Sequence, residues 1–254
     1  MSDLLVVIPT WDGEKGQRTM KQWEEKQAGD VEYAIVSPSS EEFRNGVLQG
    51  MAYGAQQLAE LDPAPAGVVF SHDDVEMLEE GWDTTIVEFL DDHPQCGLVG
   101  LGGAKGLGSN DIYKVPYRFQ QLVRLTFKSN MRDFHIHGTK LEKPERVAVL
   151  DGFFQAFSLR AYEEMGGWEE AVKDGMPPHH MYDAWAACRM KELGYEVWAL
   201  PIKCHHRGGE TAVTAAYHNW AKAHGWDEGD VSVHQKAHEV CYLRFRDVLP
   251  IRES

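Results

Sequence analysis

Gly67-Val68-Val69-Phe70-Ser71-His72-Asp73-Asp74 is the stretch whose reading decides the fold. It opens as a short apolar run bounded by polar residues, which reads as a strand, Gly67 to Ser71, buried on both faces. Adjacent carboxylates follow it, and in an open α/β sheet the carboxyl ends of strands face the ligand crevice. Neighbouring carboxylates repel one another and ionise together only beside a cation or strong donors. A hard divalent ion such as Mn²⁺ or Mg²⁺ satisfies them and in turn holds a diphosphate. The plainer alternative is a polar turn that caps the next helix.

Outward from this strand, similar elements recur. Leu4 to Ile8 is a β-branched apolar run stopped by Pro9, and Val31 to Val36 is a second strand. Ser39-Ser40-Glu41-Glu42 has the form of a capping box, and Val47, Met51, Ala55 and Leu58 follow it at helical spacing. Thr84 to Leu90 reads as a helix and Gly97 to Leu101 as a strand. Such alternation predicts an α/β fold with a mostly parallel central sheet and helices on both faces. Gly102 to Glu145 reads as loops with room for one helix. Further on come Val147 to Leu150, Phe153 to Phe157, a helix Arg160 to Met165 stopped by Gly166-Gly167, a helix Asp183 to Leu193, and Glu196 to Leu200 as the closing strand. Residues 1–210 then make one domain with halves 1–101 and 102–210, and residues 211–254, with Trp220 and Trp226, make a C-terminal helical extension.

The chain has 254 residues, 43% hydrophobic and 26% charged, which excludes disorder, collagen and coiled coil. Leu4 to Ile8 is too short for a signal core or a membrane span, so the expectation is a soluble, cytoplasmic protein. A net charge of -15 repels nucleic acid and anionic membranes as a whole. Between Lys105 and Arg146, however, nine basic residues face four acidic ones, so either a solvated face or an anion-binding segment fits. Cys96, Cys188, Cys204 and Cys241 form no C-x-x-C pair, which argues against a zinc ribbon and for reduced thiols. Neither a Walker loop, a dinucleotide fingerprint nor a G-x-S-x-G elbow occurs, and His238-Glu239 lacks the second histidine of a zincin.

Two further clusters have the right chemistry for a site. Cys204-His205-His206-Arg207-Gly208-Gly209-Glu210 offers imidazoles for Mn²⁺ or Zn²⁺, although adjacent strand residues point to opposite sides, so one histidine at most reaches a given ion. His179-His180-Met181-Tyr182-Asp183 precedes a helix, where Asp183 is either an N-cap or a general base.

Taken in order, these pieces resemble family 2 glycosyltransferases of the GT-A fold. Val6-Val7-Ile8-Pro9-Thr10-Trp11-Asp12 resembles the family's opening strand, and Arg44-Asn45-Gly46 its A-R-N-x-G helix. His72-Asp73-Asp74 falls where the D-x-D motif lies, with His in the first place. Asp151-Gly152-Phe153-Phe154 through Met165-Gly166-Gly167-Trp168-Glu169 is similar to the G-x-F to G-G-F-D-E stretch. Tyr182-Asp183, Cys188-Arg189 and Gly194-Tyr195 resemble its E-D helix, and His205 or His206 the histidine that closes the site.

The resemblance implies a nucleoside-diphosphate sugar as donor, bound by residues 1–101, and an acceptor bound by residues 102–210. It implies Mn²⁺ or Mg²⁺ on Asp74 with His205 or His206, and donor contacts from Pro9, Thr10, Trp11, Arg44, Asn45, Asp73, Gly152 and Arg207. Asp183 would act as base on an acceptor hydroxyl, with inversion; if it is only a cap, a retaining route remains. Two departures stand out: Ser37-Pro38-Ser39-Ser40 replaces the acids that read uracil and ribose, and Tyr182 replaces the Glu of the E-D pair. The alternatives are an inactive binder of nucleotide sugars or glycans, and a nucleotidyltransferase. The acceptor is open, including anionic ones: a modified nucleic-acid base, a glycan or a phospholipid.

Overall fold

The computed structural model describes residues 3–37, 46–108, 125–129, 133–137, 141–208, 215–223, 225–226 and 230–253. In chain order the elements are β1 (Leu4–Pro9), α1 (Gly13–Glu24), β2 (Val31–Val36), α2 (Val47–Ala55), β3 (Gly67–Ser71), β4 (Val75–Met77), α3 (Trp82–Asp92), β5 (Cys96–Gly100), β6 (Gly103–Ala104), β7 (Gly106–Leu107), β8 (Leu125–Ser129) and β9 (Asp133–His137). Then follow β10 (Glu145–Arg146), β11 (Val149–Leu150), β12 (Phe154–Ser158), α4 (Leu159–Met165), α5 (Gly167–Lys173), α6 (Tyr182–Leu193), β13 (Glu196–Ala199), β14 (Cys204–His206), α7 (Ala215–Ala223), α8 (Asp230–Phe245) and β15 (Ile251–Arg252).

Seven strands form the central sheet in the order β10-β13-β5-β12-β3-β1-β2. β1 runs parallel to β2 and β3, and β13 parallel to β5, while β12 is antiparallel to both β3 and β5. β1 shows why its run is apolar throughout: Leu5 and Val7 enter the core on one face, and Leu4, Val6 and Ile8 enter the core on the other. The first core takes in residues of α2, α4, α5, α6 and α8. On the opposite face, Trp23 of α1 packs edge-on against Trp82 of α3, with ring centroids 5.0 Å apart. A second sheet, β4-β14-β8-β9, lies at the carboxyl end of β3. The four cysteines are free and buried. No helix among the described residues is long and apolar enough to cross a membrane.

The mostly parallel sheet with helices on both faces is as expected, and so is a helical C-terminal segment. Four details differ. The middle of the chain holds a β8–β9 antiparallel pairing where loops and a helix were expected. α1 has no counterpart among the expected helices. Gly166, in the left-handed region at φ 85°, ends α4, but α5 begins at once with Gly167. Finally, β13 is not the closing strand, because β10 pairs along its outer edge. Ser39 to Glu42 lies outside the described residues.

Candidate active site

Chain direction gathers the site. β3 ends at Ser71, and because β12 runs the other way, the residues that enter β12 lie beside the residues that leave β3. His72 N donates to Phe153 O at 3.0 Å, which places Asp151 and Gly152 against His72. β14 pairs antiparallel with β4 so that His206 stands opposite Val75, one residue from Asp74. The first turn of α6 brings Tyr182 and Asp183 to the same crevice.

One group of possible metal ligands occurs among the described residues: His72, Asp74 and His206, whose ligand atoms all lie within 4.8 Å of one another. Asp74 Oδ1 is 3.3 Å from His206 Nε2 and 3.9 Å from His72 Nδ1. Although buried, this oxygen has no hydrogen-bond donor aligned on it, so the His206 contact is an ion-pair distance without hydrogen-bond geometry. A buried acceptor without a donor costs about 1–3 kcal/mol, and a cation removes that cost. Asp74 Oδ2 accepts from Gly208 N at 3.1 Å, and Phe153 stacks on His206 with centroids 4.6 Å apart. The donor set therefore fits a divalent ion.

The charges in the crevice are not equivalent. Burial by itself would raise the Asp74 carboxyl, but the neighbouring His206, with His72 and Lys15, outweighs it and holds this group below the usual carboxylate range. Burial lowers His72, which favours the neutral ring that can act as a ligand. At the other wall, burial and then the Asp151 charge push Asp183 up to about 7, against hydrogen bonds from the backbone N–H groups of Ala184 and Gly152. His180 and Met181, just before α6, have φ of 66° and 57°, a conformation uncommon for non-glycine residues and concentrated at functional sites.

The other expected site residues are placed as follows. Pro9 ends β1, and Thr10 is buried with its hydroxyl donating to Asp73 Oδ2. Lys15 Nζ lies 2.9 Å from Asp73 Oδ1, so both oxygens of Asp73 are engaged and Asp73 is outside the three-ligand group. Trp11 stacks on His179 at 6.5 Å and meets the edge of Trp220 of α7 at 6.3 Å. Gly152 lies under the ring of Tyr182, where a Cβ would come within 2.7 Å of that ring. Arg207 is exposed, and its N–H donates to Asp74 O at 3.2 Å. Arg44 and Asn45 lie outside the described residues, as does most of the basic segment. Of the two adjacent histidines, only His206 joins Asp74. His205 is on the other side of β14, with Nδ1 3.4 Å from Glu76 Oε2, because strand side chains alternate. Sequence reasoning does not place Lys15 or Asp151 in this crevice, does not name His72 as a candidate ligand, and notes Tyr182 only as a departure from the E-D pair. For His72 and Asp151 the signal was present, a ligand-type side chain at the end of a buried strand and an acid at the start of another.

A profile of a family described as a glycosyltransferase-like family matches residues 42–224. No curated protein matches the chain. Among solved structures, the chain is similar to A197 from STIV at 14% identity, covering 83% of this chain and 88% of that one with a TM-score of 0.44. It is similar to the catalytic domain of Drosophila beta1,4-galactosyltransferase 7, solved with xylobiose, at 10% identity, covering 83% of this chain and 67% of that one with a TM-score of 0.42. The third is a glycosyltransferase involved in glycosylation of the major capsid of PBCV-1, at 12% identity, covering 82% of this chain and 95% of that one with a TM-score of 0.38. The matched span 42–224 contains His72, Asp74, Asp151, Asp183 and His206.

Proposed function

The chain belongs to the glycosyltransferase-like family, and from that premise we propose that it moves a sugar from a nucleoside-diphosphate sugar to an acceptor hydroxyl, with inversion. In this reading His72, Asp74 and His206 hold a divalent ion and Asp183 is the base. The observation that carries it is the convergence of two imidazole nitrogens and a buried carboxylate oxygen that lacks an aligned donor, all within 4.8 Å of one another. When bound, such an ion neutralises charge on the departing diphosphate.

Asp183 takes the proton of the acceptor hydroxyl. The acceptor oxygen then bonds to the anomeric carbon as the bond from that carbon to the diphosphate oxygen breaks, and the nucleoside diphosphate leaves. A base with a pKa of about 7 suits this task, since about half of it is ionised near neutral pH and it still binds a proton well. Thr10 and Lys15 orient Asp73 towards the donor ribose. Pro9, Thr10, Trp11 and Gly152 border the donor, with Arg44 and Asn45 near by, and Arg207 closes over the diphosphate. We read residues 1–210 as the GT-A domain, 1–101 being the donor half and 102–210 the acceptor half, and residues 211–254 as its extension, working in the cytoplasm.

The test is Asp74→Asn, followed by Mn²⁺ calorimetry and by slow hydrolysis across a panel of nucleotide sugars. Loss of ion binding and a rate drop of about a hundredfold or more are expected, about 3 kcal/mol of transition-state stabilisation. Unchanged turnover in this variant would sink the reading.

A further inference from the structure

Tyr182 stands where the resembled family carries a Glu, and its hydroxyl is 2.6 Å from His72 Nε2. The same hydroxyl reaches Gly152 O at 3.4 Å. A carbonyl oxygen can only accept, and a phenol has one proton to give. When a cation takes the lone pair of His72 Nδ1, the ring proton is on Nε2, the phenol oxygen accepts it there, and the phenol gives its own proton to Gly152 O. Nδ1 is the atom that faces Asp74, at 3.9 Å. The distance is too long for a hydrogen bond between them but short enough for both to reach one cation, and Asp74 Oδ1 has no aligned donor. Tyr182 itself cannot drift, since its ring is buried and packs edge-on against Trp168 at 5.9 Å.

Resting on the ion-dependent reading above, we propose that Tyr182 is a positioning residue that fixes His72 as a third protein ligand through Nδ1. The resulting set of two imidazoles and one carboxylate selects a transition-metal ion such as Mn²⁺ over Mg²⁺. Imidazole suits transition ions, whereas Mg²⁺ prefers oxygen and keeps its waters. A ligating histidine whose other ring N–H is held by an outer partner typically loses 10–100-fold in metal affinity when that partner is removed.

The experiment measures Mn²⁺ and Mg²⁺ binding to the full chain by calorimetry, with pulsed EPR of bound Mn²⁺ to detect directly coordinated nitrogens. Two imidazole nitrogens are expected in the wild type. Tyr182→Phe, which keeps the ring and removes the hydroxyl, should weaken Mn²⁺ by about 10–100-fold and leave Mg²⁺ unchanged. His72→Asp should show one nitrogen and a Mn²⁺ to Mg²⁺ preference reduced about tenfold or more. A role confined to packing would lower the melting temperature of Tyr182→Phe without moving that ratio. A single nitrogen in the wild type, or a ratio unmoved by Tyr182→Phe, overturns the inference while Asp74→Asn still abolishes binding. A wild type that binds neither ion overturns both this inference and the proposed ion-dependent function.

Discussion

Asp74 and Asp183 lie in the same crevice, and their surroundings drive them in opposite directions. The first is held below the usual carboxylate range and the second is pushed up to about 7 by burial and Asp151. Turnover should therefore rise with pH through about 7, and Asp183→Asn should lose that limb together with about 10²–10⁴ of the rate, read from kcat against pH. The linked effect on folding has the opposite sign. A carboxyl raised from 3.8 in the unfolded chain to about 7 contributes stability below its unfolded value and loses it as pH rises through its folded value. At pH values of about 8, Asp183→Asn should then melt several degrees above the wild type, and near pH 4 the two should coincide, by calorimetric scans at both pH values. At this scale the sequence made Asp74, Asp183 and the His205–His206 pair visible, because acids and imidazoles at strand and helix ends are informative by type. His72 was harder to assign, as it occupies an acid's place, and Lys15 was out of reach without the helix that carries it.

That helix, α1, shows how an element escapes a hydrophobicity reading. Its buried positions are Gly16, Thr19 and Trp23, so the inward face is correctly spaced but mostly not apolar. The legible signal was the cap: Asp12 accepts from the N–H groups of Glu14 and Lys15. Gly16 is there for close approach, since a Cβ would come within 2.9 Å of both Ile35 and Thr10 side-chain carbons. Gly16→Ala gains about 1 kcal/mol of helix propensity and costs about 1–3 kcal/mol of overpacking, so a net loss of stability is expected in urea titrations. A weaker donor KM effect should accompany it, because Thr10 orients Asp73. The β8 and β9 strands escaped for a different reason. Leu125-Thr126-Phe127-Lys128-Ser129 and Asp133-Phe134-His135-Ile136-His137 alternate with period two, but they lie within a basic tract that drew a charge-based reading instead.

Across the whole molecule, the C-terminal helix α8 is bound to α6. Phe245 of α8 is fully buried and meets Trp185 of α6 at 5.9 Å, and Arg244 makes contacts of 2.8 and 2.9 Å with the Glu192 carboxylate. Phe245→Ala should cost about 3–5 kcal/mol, and the loss should appear as one shifted transition in thermal melts monitored by both tryptophan fluorescence and circular dichroism. Two separate transitions would mean that the extension unfolds independently. Strand order was the least legible property, since composition and spacing say which segments are strands but not that β12 inserts between β3 and β5. That insertion has a consequence for synthesis. A nascent chain that has emerged only to residue 101 holds β1, β2 and β3 as a contiguous ribbon, but β5 finds its neighbours only in β12 and β13. The first hundred residues therefore wait with β5 unpaired until Ser158 has left the ribosome, and with β4 unpaired until β14 follows.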